Sequence, residues 1–360
     1  MSLDYKQSIT IAFYITNHGY GHASRNVAVI QRFLEIAEKV RVLVKSDAER
    51  CDFIHRNLGD DDRVEYFPDC SDVGLVLKDG TLIPDISKMK KKINEDVGKW
   101  PMYIEREREF LKSHDTNVVI IDVICWAIYA AKCEGIKTLL IGNFTWASMY
   151  KSFYEESVYQ PYLDFYRMAD RALWYEIHEK ELEMYVKDFG CISLVSRKVN
   201  YDNVETIKGR YKQPIVFVSL GASADISREI DVSSIPYDFV TTRGIELVGL
   251  NVYKLPDDMI NTMDYIAAAD YIIAKGGWST VSEILLQSKP CALLMRGNNT
   301  EDNITKEYLE SRRQCVAISE EDLIDIEGII KRIKLLKPMP YEYYNSVEII
   351  CDEIIMMARC

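Results

Sequence analysis

The 360-residue sequence has no C-x-x-C pair, no apolar run approaching 18 residues and no excess of positive charge. Each absence excludes something. The nine cysteines, at 51, 70, 125, 133, 191, 291, 315, 351 and 360, are scattered, and several sit inside apolar runs. That is the pattern of reduced, mostly buried thiols, not of a disulfide framework. Without a long apolar run, no membrane-spanning helix is expected. Ile9–Ile15 is too short for a signal-peptide core and reads as a first strand, so a cytoplasmic protein, at most peripheral to a membrane, is expected. A formal net charge of −12 argues against a nucleic-acid binder, which normally shows a basic face. What is present is apolar: 48% hydrophobic residues are ample for real cores, and 360 residues exceed one comfortable domain.

Short apolar runs alternate with helical spacing along the chain. Ile9–Ile15, Val40–Val44 and Val64–Phe67 read as strands, with a glycine-rich turn at Asn17–His22. Val27, Ile30, Phe33, Leu34 and Ala37 recur at helical spacing, and Ala48–Leu58 is a second helix. Asp69–Trp100 is less regular. Its Lys88, Lys90, Lys91 and Lys92 read first as a solvated helix face and otherwise as a patch for an anionic surface. Val118–Asp122 is an apolar strand ending in an acid, Cys125–Cys133 a helix and Thr138–Ile141 a strand. Phe144–Tyr175 is dense in aromatics, a core stripe before it is a binding site, although tyrosines can line an acceptor cleft. Cys191–Val195 reads as the last strand of the first half and the polar stretch 196–213 as a linker.

The pattern then restarts. Ile215–Ser219 is a strand followed by a second glycine turn, and Phe239–Thr241 and Ile245–Val248 are further strands. Met259–Ala268 is a helix, Tyr271–Ala274 and Ala292–Met295 are strands, and Glu301–Ser311, Glu320–Leu335 and Tyr343–Met357 are helices. The fold class expected is α/β, with two Rossmann-like, doubly wound domains facing a cleft. Their bounds are 1–196 and 197–340, with 341–360 a C-terminal helix crossing back to the first domain.

Ile272–Ile284 carries the most chemistry. It reads as a buried strand, a Gly276-Gly277 turn and a helix that Ser279 or Thr280 can cap, with Glu283 in its first turn. Free N–H groups and the helix dipole then converge on one place, which makes an anion site. Glycine lets a diphosphate come close, and Glu283 has the reach to accept from a ribose. The bland alternative is an ordinary βα turn. Leu220–Ser223 would lie at the same carboxyl edge, and two such turns suit a nucleoside diphosphate. His18 and His22 have the spacing of a zinc pair on a helix, but Gly19 and Gly21 between them disfavour a helix, so no metal is expected. A dinucleotide fingerprint fails there because Ser24 takes the third glycine's place.

Asn261–Glu283, with Met263, Ala267-Ala268-Ala269-Asp270, Gly276 and Thr280-Val281-Ser282-Glu283, continued by Lys289-Pro290 and Glu301-Asp302, resembles GT-B glycosyltransferases. Within them it is most similar to the family 28 UDP-glycosyltransferases around the peptidoglycan N-acetylglucosaminyltransferase. His18–Arg25 resembles the N-terminal glycine-and-histidine loop of the same superfamily, and also the transferase-like N-terminal domain of some sugar kinases. The resemblance implies that Gly276, Gly277, Ser279 and Thr280 hold the donor diphosphate and that Glu283 binds the ribose. It implies that Gly221 and Ser223 close over the phosphates, that Val252 and Tyr253 meet the base through backbone groups, and that Gly21 belongs to the same nucleotide-sugar set. Glu301 and Asp302 would hold sugar hydroxyls, although the family usually has Gln in the second place. A glycine usual after the next helix is replaced by Ser311-Arg312-Arg313.

His22 would be the general base and Asp122 its orienting acid; the bland readings are a packing histidine and a helix-capping aspartate. The reaction implied is transfer of a hexosyl group from a UDP-sugar to an acceptor hydroxyl, without metal or cofactor. A lipid-linked or membrane-surface acceptor would suit the aromatic stretch and the lysines. The alternatives are a nucleotide-sugar sensor or pseudo-enzyme without transfer activity, and a UDP-sugar epimerase on the same fold.

Overall fold

The computed structural model describes residues 8–70, 72–78, 83–221, 226–295, 300–336 and 343–359, without the side chains of 226–228. The chain forms two compact units. One takes Met1–Lys78, Pro84–Val195 and Asn345–Cys360, and the other Asp79–Ile83 and Ser196–Tyr344.

The first unit runs β1 (Ile9–Ile15), α1 (Tyr20–Ile36), β2 (Val40–Lys45), α2 (Ala48–Leu58), β3 (Val64–Phe67), α3 (Ile86–Val97), α4 (Trp100–Ser113), β4 (Val118–Asp122), α5 (Trp126–Cys133), β5 (Lys137–Gly142), α6 (Trp146–Lys151), α7 (Glu156–Tyr166), β6 (Arg171–Tyr175) and β7 (Phe189–Ile192). Its seven strands lie in the order β3-β2-β1-β4-β5-β6-β7, and every pairing is parallel. All seven residues of β1 and all five of β4 are buried, which is what a strand covered on both faces demands of its side chains. The chain goes one way from β1 to β2 and the other way at β4, so the switch point falls between β1 and β4. Ligands of open α/β sheets bind at the carboxyl ends of such strands.

The second unit runs α8 (Tyr201–Arg210), β8 (Ile215–Ser219), β9 (Ile226–Asp231), β10 (Asp238–Thr241), β11 (Ile245–Val248), β12 (Val252–Lys254), α9 (Thr262–Ala268), β13 (Tyr271–Lys275), α10 (Trp278–Leu286), β14 (Cys291–Leu294), α11 (Thr300–Ser311), β15 (Cys315–Ile318) and α12 (Ile326–Ile333). Six strands form a parallel sheet in the order β12-β10-β8-β13-β14-β15, with its switch point between β8 and β13. β9 and β11 pair separately.

The last helix, α13 (Val347–Met357), belongs to the first unit. Ser346 N–H donates to the Leu194 carbonyl at 2.8 Å, Arg32 Nε meets Glu348 Oε1 at 2.6 Å, and Ile350, Cys351, Ile354 and Ile355 are buried. Burying each such aliphatic side chain is worth about 1.5–3 kcal/mol.

Several local readings change. The stretch 196–213 is no linker: Asn200 caps α8 by accepting from the N–H groups of Asp202 and Asn203, and Val204 and Ile207 are buried. The last strand of the first half is Phe189–Ile192, not 191–195. The helix expected over 259–268 starts only at Thr262, and 320–335 splits into a 3-10 turn and α12. The aromatic stripe is core, with Trp146, Tyr150, Tyr162, Tyr166, Trp174 and Tyr175 buried. The lysines of α3 lie on its outer face, opposite buried Met89 and Ile93, and Lys90 pairs with Glu155 at 2.5 Å. The eight described cysteines are free thiols, six of them buried. No helix among the described residues is long and apolar enough to cross a membrane.

Candidate functional site

In the first unit the switch point is built by α1 and the end of β4. Gly19 caps α1 with φ +80°, a left-handed conformation that glycine adopts without strain, and the helix starts at Tyr20. Gly21 and His22 therefore lie in the first helical turn, not in a loop as their glycines suggested. The parallel register sets Ile15 against Asp122, so the acid ends its strand beside the first residues of the turn.

His22 Nδ1 lies 2.6 Å from Asp122 Oδ1. Asp122 also accepts from Arg25 Nε at 2.9 Å, from Arg25 Nη2, and from Asn26 Nδ2 at 2.6 Å. Arg25 Nη1 reaches Asn143 Oδ1 at 3.1 Å, and its guanidinium stands over the Tyr175 ring. All of these residues are buried. His22, Arg25 and Asn26 fall at i, i+3 and i+4, on one helix face. Burial alone would raise the Asp122 carboxyl; the Arg25 guanidinium and the hydrogen bonds from His22 and Arg25 overcome it and hold the group well below the usual range. Arg25 can only donate, and a carboxylate can only accept. Arg25 Nη2 also lies 2.8 Å from His22 Nδ1, so that nitrogen faces one donor and one acceptor; a ring proton on Nδ1, pointing at Asp122, is the tautomer that leaves Nε2 basic. Nε2 has no hydrogen-bond partner among the described residues.

Two further features were not visible in the sequence. Val123, directly after Asp122, has φ +63°. That is a costly conformation for a β-branched residue, by about 1–3 kcal/mol. It is held by the Tyr166 hydroxyl, which donates to the Val123 carbonyl at 2.5 Å. Asp72, from the irregular stretch, ties down the turn before α1: it accepts from Thr16 Oγ1 at 2.7 Å, from the Trp146 indole, and from Asn17 once its amide is oriented to donate. The His18 ring stands edge-on to Trp146 and so close over Gly74 that a Cβ there would lie 2.2 Å from Nδ1. His18 and His22 thus have separate partners.

In the second unit the two glycine turns are neighbours, because β8 and β13 pair with Ser219 opposite Ala274. Gly221 has φ +77°, and Lys275 Nζ lies 3.8 Å from where a Cβ on it would stand. Ser223 lies outside the described residues. α10 starts at Trp278 with Gly277 as its N-cap and no side-chain cap, so Ser279 and Thr280 are first-turn residues, not caps. The N–H groups of that turn have no intrahelical acceptor. Gly277 has open space where a side chain would stand, whereas a Cβ on Gly276 would lie 2.9 Å from Met295 Sδ.

Glu283 is one turn further along than expected, and buried. Its Oε1 accepts from Arg197 Nε at 3.3 Å and Nη2 at 3.2 Å, and Arg197 also holds the Ile260 carbonyl and Thr262 Oγ1. Arg197 lies in the polar stretch 196–213, whose composition alone points to a linker. Val252 and Tyr253 lie on edge strand β12, and the Tyr253 ring meets Tyr211 at 4.9 Å. Glu301 and Asp302 open α11; Glu301 is partly exposed and Asp302 buried.

Two doubly wound parallel sheets define the fold as that of the GT-B glycosyltransferases. UGT73P12 of Glycyrrhiza uralensis, solved with glycyrrhetinic acid 3-O-monoglucuronide, superposes with TM-score 0.60 at 13% identity, covering 98% of this chain and 96% of that one. A UDP-glucosyltransferase from Polygonum tinctorium gives 0.61 at 10% identity over 99% of both chains. The glycosyltransferase SnogD from Streptomyces nogalater gives 0.59 at 14% identity over 98% of this chain and 100% of its own. Among curated proteins, the L-arabinokinase of Arabidopsis thaliana is 23% identical over 369 residues, 95% of this chain. The chain spans about a third of that relative, 34% of its length. No family model matches.

Proposed function

We propose that the chain transfers a sugar from a nucleoside-diphosphate donor, a UDP-sugar, to an acceptor hydroxyl. The observation that carries the proposal is the 2.6 Å contact of His22 Nδ1 with Asp122, which turns the basic Nε2 away from the acid that orients the ring. A base held by an orienting carboxylate is the arrangement general-base catalysis needs. In this reading Nε2 takes the acceptor hydroxyl's proton as its oxygen attacks the anomeric carbon and the bond to the leaving diphosphate breaks. Arg25 and Asn26 saturate Asp122, so the carboxylate positions the ring and does not itself take up the proton.

The second unit is assigned the donor. The first turn of α10 behind Gly277, the Gly221 turn and the Lys275 ammonium supply N–H groups and positive charge for a diphosphate, in place of a metal ion. Glu283, oriented by Arg197, takes the ribose hydroxyls, and Glu301 and Asp302 take those of the sugar. The structural neighbours include an anthocyanidin 3-O-glucosyltransferase solved with UDP, which supports a uridine donor.

A second reading is binding without transfer, as a sugar-nucleotide module. The arabinokinase relation favours it, because the matched third belongs to a protein named for phosphorylating a sugar, and so do the occupied Glu283 and buried Asp302. His22→Ala separates the two. On the transfer reading, turnover or slow hydrolysis of a UDP-sugar falls about 10²–10⁴-fold while UDP affinity by calorimetry stays within twofold. UDP binding with no turnover in the wild type supports the module, and no nucleotide binding at all overturns both.

A further inference from the structure

A second cluster of ligating side chains lies at the far edge of the first unit's sheet, with β5 between β6 and the strand that carries Asp122. His178 follows β6, Glu183 sits in the 3-10 turn Lys180–Met184, and Cys191 is in edge strand β7, where the register pairs it with Trp174. One nitrogen, one oxygen and one sulfur from these residues all lie within 4.8 Å of one another.

The orientation of His178 is informative. Its Nδ1 is 2.6 Å from the Tyr175 carbonyl, which can only accept, so Nδ1 carries the ring hydrogen. In the neutral ring Nε2 is then a lone pair, and it is aimed at Glu183 Oε1 at 3.1 Å. In that neutral form two acceptors face each other, and either a second ring proton or a bound cation between them resolves the repulsion. An Nδ1–H donated to a backbone carbonyl is also how metal-bound histidines are usually fixed. Lys180 Nζ approaches the same oxygen at 2.9 Å, but it lies on an exposed side chain and is readily displaced. Cys191 is exposed, with its thiol beside the same carboxylate.

We propose that His178, Glu183 and Cys191 bind a divalent cation of the zinc class, with water as the fourth ligand. The mixed nitrogen, oxygen and sulfur set matches zinc and its borderline neighbours and not the all-oxygen preference of calcium or magnesium. Such a cation would fasten the excursion between β6 and β7 to the sheet edge.

The test uses the full chain, stripped with a chelator and titrated with Zn²⁺ by calorimetry and with Co²⁺ by absorption. The expected result is one ion per chain, a sulfur-to-cobalt charge-transfer band, and Zn²⁺ protection of Cys191 from alkylation, mapped by mass spectrometry. Cys133, the other exposed thiol among the described residues, should react as before. Cys191→Ser should fold normally, lose the charge-transfer band and bind Zn²⁺ roughly tenfold more weakly or worse. His178→Ala should lose binding, and its folding is checked by circular dichroism. No stoichiometric uptake, unchanged affinity in Cys191→Ser, or alkylation of Cys191 at the same rate with Zn²⁺ present overturns the proposal.

Discussion

Asp122→Asn removes one charge from the first unit's cluster and leaves its shape intact. The carboxylate accepts from three side chains, two of its contacts being at 2.6 Å. An asparagine would turn an NH₂ toward at least one of those donors. It would also leave the Arg25 guanidinium buried without its counter-ion. Breaking a buried pair from one side costs about 3–5 kcal/mol, and the lost hydrogen bonds are part of that figure. At roughly 2–4 °C per kcal/mol, the Tm of a unit this size should fall by roughly 6–20 °C. Arg25→Met should cost a similar amount, and the double variant should cost less than the two together by about 1–3 kcal/mol, since each change removes the other's penalty.

The pH dependence has a definite sign. The folded-state pKa of Asp122 is depressed, so its contribution is fully present above the unfolded value of about 3.9 and is lost only as pH falls through the folded one. Urea unfolding of wild type and variant at pH 8 and pH 5 should therefore give the same difference. A loss below about 1 kcal/mol, strict additivity in the double variant, or a difference that shrinks from pH 8 to pH 5 would refute the account.

Asp96 is the opposite case: burial pushes its carboxyl up to about 6 against the hydrogen bond from the Trp100 indole. Its ionisation opposes folding progressively as pH rises from the unfolded value to 6, so Asp96→Asn should stabilise by up to about 3 kcal/mol at pH 8 and by nothing at pH 3.5, measured in urea. Gly74→Ala should force the His18 ring off its seat beside Trp146, cost about 1–3 kcal/mol and change the near-ultraviolet circular dichroism; an unchanged spectrum would count against the packing. Ile354→Ala in α13 should cost about 2–5 kcal/mol, whereas half-exposed Met356→Ala should stay within about 0.5 kcal/mol in the same assay.

The strands at both switch points were legible because a strand covered on both faces must be written as an unbroken apolar run, as in Ile9–Ile15 and Val118–Asp122. His22 and Asp122 could be paired before the structure because each sits where a sheet's carboxyl edge presents side chains. Arg25 and Asn26 were missed for one reason. Gly19 and Gly21 hid the start of α1, and without the helix the i+3 and i+4 positions had no common face. Asp72, the bent backbone at Val123 and the partnership of Arg197 with Glu283 are long-range facts. The last joins residues 86 apart in the chain, and the polar composition of 196–213 pointed away from it. The sequence places the first turn of α10 two or three residues late because Ser279 and Thr280 are better capping residues than Gly277.

The return of α13 to the first unit bears on the order in which the protein can be completed during synthesis. β1 to β7 leave the ribosome before Ser196–Tyr344 of the second unit, but the surface over α1 and β5 that α13 covers waits until that whole stretch has been made. Until then the first unit carries an uncovered strip where Val29 and its neighbours await Ile350, Cys351 and Ile354. Nascent chains halted before residue 345 should be held by chaperones that bind exposed apolar surface, and the first unit should reach full resistance to protease only once the final helix is released.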